Sequence, residues 1–257
     1  MLINNQRYAR IAGVNYDSEK LGTGPIVYGR THMVSRQLRK LGQLARNQPI
    51  KLITSFSDAC VTQEMADKLP KGIHWYANNV RCDHPRVTAL PIGCKYEAIR
   101  EQILISAMHQ PRPVQRNLMY MCFTQQIPRT PNPRQGLYDI FNKPWITSEG
   151  GDKTNPVPFA EFYHGIQSHP YVLSPHGAGP DCHRHWEAML LGSIPIVLVD
   201  KANELLDDMP ALRVNSWDHV TEDLLIRSLP EMQDRQRHRE KLFMPYWERV
   251  IRRVPCE

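Results

Sequence analysis

YVLSPHGAGPDCHRHWEAMLLGSIPIV occupies residues 171–197. An apolar YVL run closes at Pro175, a glycine-bearing turn follows, and Trp186–Leu191 resumes apolar character at helical spacing. Gly192 then leads into IPIV, which reads as a buried strand. Strand, turn, helix and strand in this order make a βαβ unit, and βαβ units build parallel sheets. What the unit does not need for folding is the polar run HGAGPDCHRH at the carboxyl end of its first strand. Three chemistries suit such a run: a metal site, a nucleophile with its base, and a cradle for a phosphate-bearing ligand.

The same rhythm extends outward on both sides. PIVY (25–28), KLIT (51–54), IHWYA (73–77) and VTAL (87–90) are short apolar strands, with helical patterns over 32–44, 61–69 and 96–108. QPRPVQR (110–116) is basic and punctuated by proline, as a linker is. Beyond it NLMYMCF (117–123), PWIT (144–147), YVLSP (171–175) and IPIVLV (194–199) repeat the pattern, with helices over 135–141, 158–168 and 181–191. Glu231–Arg253 reads as one basic amphipathic helix. The expected fold is α/β, in two small halves joined near residue 112, each built on a parallel sheet. Residues 1–110 form the first domain, 111–235 the second, and 236–257 a terminal helix packing back across the first.

Composition bounds the function. The 257 residues carry 41% hydrophobic and 23% charged side chains, ordinary for a packed globular chain, with a net charge of +6. That balance favours anionic partners. The basic run from Arg235 to Arg253 reads as a solvated helix face, so no nucleic-acid partner is expected. No stretch approaches the ~18 apolar residues that span a bilayer. Six cysteines lack Cys-x-x-Cys spacing, and the start lacks an apolar leader. A reduced, cytoplasmic protein is expected, in a cell or in a virus-infected host cell.

Within the decisive stretch, Gly177 and Gly179 permit positive φ and close approach of a ligand to the backbone. The helix beginning near Asp181 offers unpaired N–H groups and the positive end of its dipole, which suits a diphosphate. Arg184 brings a guanidinium fork for phosphate oxygens. Glu187, three residues on along the same face, suits a ribose diol. Against this, Asp181 is equally a helix cap, and Trp186, Met189, Leu190 and Leu191 are core. His169, His176, Cys182, His183 and His185 are metal-ligand types, but none shows zinc-site spacing. A nucleophile at Cys182 needs a base that the sequence does not specify.

Ser174, Pro175, Gly177, Gly179, Asp181, Arg184, Trp186, Glu187, Ala188, Gly192, Ile194 and Pro195 together resemble the C-terminal signature of exostosin-like glycosyltransferases. Ala178 and His185 depart from it, standing where Asn and Thr are commoner. The run TSFSDACVTQEMADKLPKGIHWYANNVRCDHPRVTALPIG (54–93) also resembles small bacterial and giant-virus members of that group. The resemblance implies a GT-B architecture, two Rossmann-like domains with parallel sheets facing a cleft, and inverting transfer of a sugar from a UDP-sugar bound on the C-terminal half to a glycan acceptor. Of the sugars used in the family, xylose is favoured. No Asp-x-Asp motif occurs, so no metal or other cofactor is implied, and cations must stabilise the leaving UDP. Arg184 is the first candidate; Arg129 and Arg134, in the loop after NLMYMCF, are the second. Ser174, His176, Gly177, Gly179, Asp181 and Glu187 complete the donor site. The general base comes from the N-terminal half, with Asp58 ahead of Asp83 and His84, while Asn78, Asn79 and His84 contact the acceptor. The competing readings are a catalytically silent nucleotide- or phosphate-binding module and a basic nucleic-acid-binding protein.

Overall fold

Strands that are apolar on both faces must be covered on both faces, and the chain is organised to do this twice. The computed structural model describes residues 1–13, 24–127, 131–150, 156–236 and 239–253. It opens with α1 (Asn5–Ile11), capped by the Asn4 side chain, which accepts the Arg7 N–H at 3.0 Å. β1 (Ile26–Gly29), α2 (Val34–Asn47), β2 (Ile50–Thr54), α3 (Gln63–Asp67), β3 (Ile73–Ala77) and β4 (Val87–Ala89) follow. They form a four-stranded parallel sheet in the order β1-β2-β3-β4. α4 (Ala98–His109) leads to the proline-rich linker.

The second half comprises β5 (Met119–Cys122), α5 (Leu137–Ile140), β6 (Ile146–Glu149), α6 (Phe159–Gln167), β7 (Tyr171–Leu173), α7 (His183–Leu190), β8 (Ile194–Leu198) and β9 (Leu212–Val214). Its five-stranded parallel sheet runs β6-β5-β7-β8-β9. Counted within the half, that is 2-1-3-4-5, an order found in doubly wound α/β folds. The winding reverses between β5 and β7, and a crevice is expected beyond the carboxyl ends of those two strands. α8 (Glu222–Arg235) covers the outer face, and α9 (Met244–Arg253) ends the described chain.

Alternation along each strand sorts the core into three layers. In β3, Trp75 and Ala77 join Val27 and Leu52 under α2 and α3, whereas Tyr76 faces the other way with Tyr28 and Ile53. In β5, Met119 and Met121 face α8, and Tyr120 and Cys122 face inward. The inward faces of both sheets meet one shared layer, to which α1, α4, α6, α7 and α9 contribute Tyr8, Leu104, Tyr163, Trp186 and Trp247. The two halves therefore share a continuous apolar core. α4, which follows the last strand of the first half, packs against α6 of the second.

Residues 231–253 do not form the single helix expected from their pattern. α8 stops at Arg235, and α9 starts at Met244 after an extended Phe243. Pro245 is the reason: its missing N–H is harmless in a first turn and would disrupt a helix interior. α9 lies against the first half. Lys51 Nζ donates to the carbonyls of Ile251 and Arg252 at 2.7 and 2.8 Å, and the Met244 N–H donates to Met1 O at 3.0 Å. Ion pairs Arg235–Glu231, Lys241–Asp208 and Arg252–Glu248 neutralise part of the basic run.

Gly93 is where the shared layer tolerates no side chain. Its φ is +69°, and a Cβ there would lie 2.6 Å from the Ile3 carbonyl carbon. Gly136 has nearly the same φ, +72°, with nothing within 4 Å. Gly136→Ala is expected to cost about 1 kcal/mol of left-handed strain. Gly93→Ala adds overpacking to that strain, for about 4 kcal/mol in total. Urea unfolding of the two variants checks the difference; equal losses would show that the Ile3 contact is unimportant.

Candidate functional site

Phe123 follows β5 directly at the winding reversal and packs in the outer cluster with Met119 and Met121. Two guanidinium groups lie against its ring, Arg134 at 5.7 Å and Arg184 at 5.5 Å from the centroid. Arg134 comes from the loop after β5, and Arg184 from the first turn of α7. Each cation–ring contact is favourable by ~0.5–2 kcal/mol, but the two cations repel.

Arg134 is fastened. Its Nε donates to His176 O at 2.8 Å and its Nη1 to Thr124 O at 3.0 Å. Burial, reinforced by the nearby Arg184 charge, pushes its guanidinium down to about 10. Arg184 is not fastened: its Nε and Nη1 are buried without a hydrogen-bond partner among the described residues. Buried polar atoms are normally satisfied, so this pair of donors is an unfavourable feature of the site. An anion bridging both arginines would satisfy the orphaned donors and cancel the repulsion.

These groups line a cavity of about 400 Å³ between the halves. Asp58, Lys95 and Arg100 face it from the first half, and Thr124, Arg134 and Arg184 from the second. A smaller chamber of about 190 Å³ shares both arginines and adds Phe123, Phe159 and Val157. The volume suits a small-molecule ligand, with charged groups converging beside an apolar pocket.

The glycines act differently from expectation. Neither Gly177 nor Gly179 has a positive φ. What glycine provides here is proximity: a Cβ at Gly177 would lie 3.4 Å from Arg134 Nη2, and one at Gly179 would lie 3.0 Å from the Asn79 amide nitrogen.

Asp181 and Glu187 are occupied by the protein itself. Asp181 Oδ2 accepts the Ile92 N–H at 2.7 Å, and Oδ1 accepts the Trp186 indole N–H at 2.8 Å. It caps no helix; Cys182 holds the N-cap position without a side-chain bond. Glu187, fully buried, accepts Arg100 Nη2 on both oxygens at 2.9 and 2.7 Å and the Lys95 N–H at 3.3 Å. A carboxylate so engaged does not stand free for a diol. Both residues instead tie the second half to the loop after β4.

Ser174, expected in the donor site, is buried with its hydroxyl 2.7 Å from His185 Nδ1. His176 contributes its backbone carbonyl to Arg134. The remaining imidazoles of the polar run are also engaged: His183 Nδ1 donates to Gly93 O at 2.7 Å, and His169 bonds Gly165 O and Thr147. No group of three metal-ligating side chains occurs among the described residues.

On the opposite rim, Asp58 is exposed and reaches the cavity. Its loop is held by Asn79, whose amide donates to Ser57 O at 3.2 Å and accepts the Asp181 N–H at 3.0 Å. Phe56 and Asn79 both adopt left-handed φ, 54° and 55°, which is costly for Phe. Asn78 and Asn79 are buried and act as braces, with Asn78 donating to Leu90 O at 2.9 Å. His84 accepts the Arg86 N–H at 3.1 Å, Asp83 pairs with Lys201, and neither lines the cavity. Arg129 lies outside the described residues.

Lys95, Arg100 and Phe123 were not singled out by the sequence. Phe123 was recoverable from its position directly after a strand at a winding reversal. Lys95 and Arg100 carry no local signal, because α4 reaches the cavity only through packing against the other half.

Compared with known proteins, the chain matches no family model and no curated protein.

Two outcomes follow from the electrostatics. Arg184→Met removes a buried, unsatisfied cation beside Arg134, so the unliganded variant is expected to be about 1 kcal/mol more stable than the wild type. A fall in stability on chemical denaturation would show that Arg184 is satisfied in the free protein.

Asp181 and His185 give the second. Burial raises Asp181 from 3.8 to about 6, and burial lowers His185 from 6.5 to about 4. Between about pH 4 and 6 the folded chain thus holds one proton on Asp181, where the unfolded chain holds one on His185. Proton counts match and the two slopes cancel. In His185→Gln only Asp181 remains, the folded state binds the extra proton, and stability falls as pH rises. The expected slope is up to ~1.4 kcal/mol per pH unit relative to wild type. Denaturant titrations across this window check it, and a flat difference would contradict the pairing.

Proposed function

We propose that the chain is an inverting, metal-independent glycosyltransferase of GT-B type, carrying a sugar from a UDP-sugar to a glycan hydroxyl. One observation carries the reading: Arg184 presents buried, unsatisfied donors beside Arg134, in a cavity at the carboxyl ends of β5 and β7. A pyrophosphate between the two guanidiniums supplies the acceptors that Arg184 lacks and offsets the repulsion between the pair. As the bond from the anomeric carbon to the UDP oxygen breaks, negative charge grows on the leaving phosphate, and fixed cations already face it. The adjoining chamber beside Phe123 and Phe159 is the apolar place for the base. The exostosin-like resemblance of residues 174–195 supports the same assignment.

Inversion requires attack from the face opposite UDP, by a hydroxyl whose proton is removed from that side. Asp58 occupies the first-half rim, and Asp181 and Glu187, the buried carboxylates of the same cavity, are engaged elsewhere. Asp58 therefore takes the role of base. Lys95 stands nearby to orient an acceptor.

Calorimetry with UDP tests the donor side: wild type binds, and Arg184→Met binds about 10–100-fold more weakly. Equal affinities would refute the assignment. Asp58→Asn is expected to keep UDP affinity and lose about 10²–10⁴-fold in transfer. A screen of UDP-sugars by thermal shift, beginning with UDP-xylose, supplies the donor. Binding of UDP without hydrolysis or transfer from any donor would favour a silent nucleotide-binding module instead.

A further inference from the structure

A second groove lies far from this cavity. It measures about 650 Å³, between α2 and the turn at 70–72, with Arg39, Gln43, Arg46 and Lys71 on its rims and Leu38 and Pro70 among its apolar lining. Along α2 the exposed residues Arg36, Arg39, Lys40, Gln43 and Arg46 fall at i, i+3, i+4, i+7 and i+10. They form one stripe ~15 Å long. The helix, VSRQLRKLGQLARN, contains no acidic residue. None of Arg36, Arg39, Lys40, Arg46 or Lys71 makes an ion pair with a described residue. On neighbouring α3, Glu64 is paired with Lys68 at 2.6 Å, and Asp67 accepts from Gln63. Of these two acids only Asp67 keeps a full negative charge, against five cations of the stripe and groove rim.

We infer that this face docks on an anionic phospholipid surface, with one phosphate-bearing headgroup seated in the groove. Three features favour this occupant. The groove's rims carry Arg39, Arg46 and Lys71, cations that match a phosphate, and a nucleic-acid duplex is too wide to enter it. The stripe carries no aromatic ring on which single-stranded bases would stack. Its cations lie on one line of a single helix, the arrangement that lets several approach a flat charged surface together. No described helix is long and apolar enough to cross a membrane, so the contact is peripheral and electrostatic.

The groove sits at the amino-terminal edge of the first sheet. Gly72 immediately precedes β3, and its carbonyl accepts the Ile50 N–H that opens β2. The anion cavity lies at the opposite, carboxyl edge, a strand length of ~17 Å away. Docking through α2 therefore leaves the cavity open to the aqueous side.

Co-sedimentation with vesicles tests the inference without any nucleotide, so it succeeds or fails independently of the transferase reading. Phosphatidylcholine vesicles with about a third phosphatidylserine are expected to bind the protein, and pure phosphatidylcholine vesicles are not. Raising salt from ~0.1 to ~0.5 M should release it. Arg39→Glu/Lys71→Glu is expected to weaken binding by about tenfold or more, with an unchanged thermal melt because both side chains are exposed. Soluble glycerophosphoserine should compete only at far higher concentration. Absence of vesicle binding, binding unaffected by the double substitution, equal affinity for the soluble headgroup, or preference for duplex RNA or DNA would each overturn it.

Discussion

Two guanidinium groups sharing one phenyl ring define this molecule. Arg134 and Arg184 both lie against Phe123, and their like charges repel each other. The fold holds the arrangement by fixing one partner. Arg134 is tied to two carbonyls, His176 and Thr124, which follow the two strands flanking the winding reversal. Arg184 is carried in by α7, and α7 is fixed by Trp186 in the core. The cavity wall at this point therefore carries two fixed cations side by side.

The seam between the halves explains how that arrangement persists. A common apolar layer runs between the sheets, and polar links reinforce it. Arg100 pairs with the buried Glu187, Asp181 holds the Ile92 N–H, and Arg81 pairs with Asp200. Breaking a buried pair such as Arg100–Glu187 by removing one side typically costs ~3–5 kcal/mol. Groups that resembled ligand-binding residues thus serve to bring the loop after β4 against the second half. That loop supplies Lys95 to the cavity, and α4 behind it supplies Arg100, so the links also shape the cavity wall.

The charge of the chain is divided between two places with different electrostatics. In the cavity, few cations act strongly because they are desolvated. On α2 the cations are fully hydrated and act weakly, through number and alignment. The basic C-terminal region drew attention in the sequence, yet it spends several of its charges on Glu231, Asp208 and Glu248 and its apolar residues on the shared core.

Local pattern alone determined a great deal. The strands at PIVY, KLIT, IHWYA, VTAL, NLMYMCF, YVLSP and IPIVLV, the helices between them, and the division near residue 112 follow from apolar period and proline punctuation. These reflect short-range constraints that each segment satisfies by itself. Arg184 and Arg134 were legible for the same reason, since both lie in loops or helix starts after strands. Tertiary structure alone decided the rest. Glu187 and Asp181 carry the same chemistry whether they face a ligand or a neighbour, and only the approach of Arg100 and Ile92 settles which. Gly177 and Gly179 looked like turn glycines, but what they accommodate is Arg134 and Asn79, residues 43 and 100 positions away in the chain. The break before α9 and the merging of the inner faces into one layer depend on which surfaces meet. No single segment contains that information, because burial is a property of pairs.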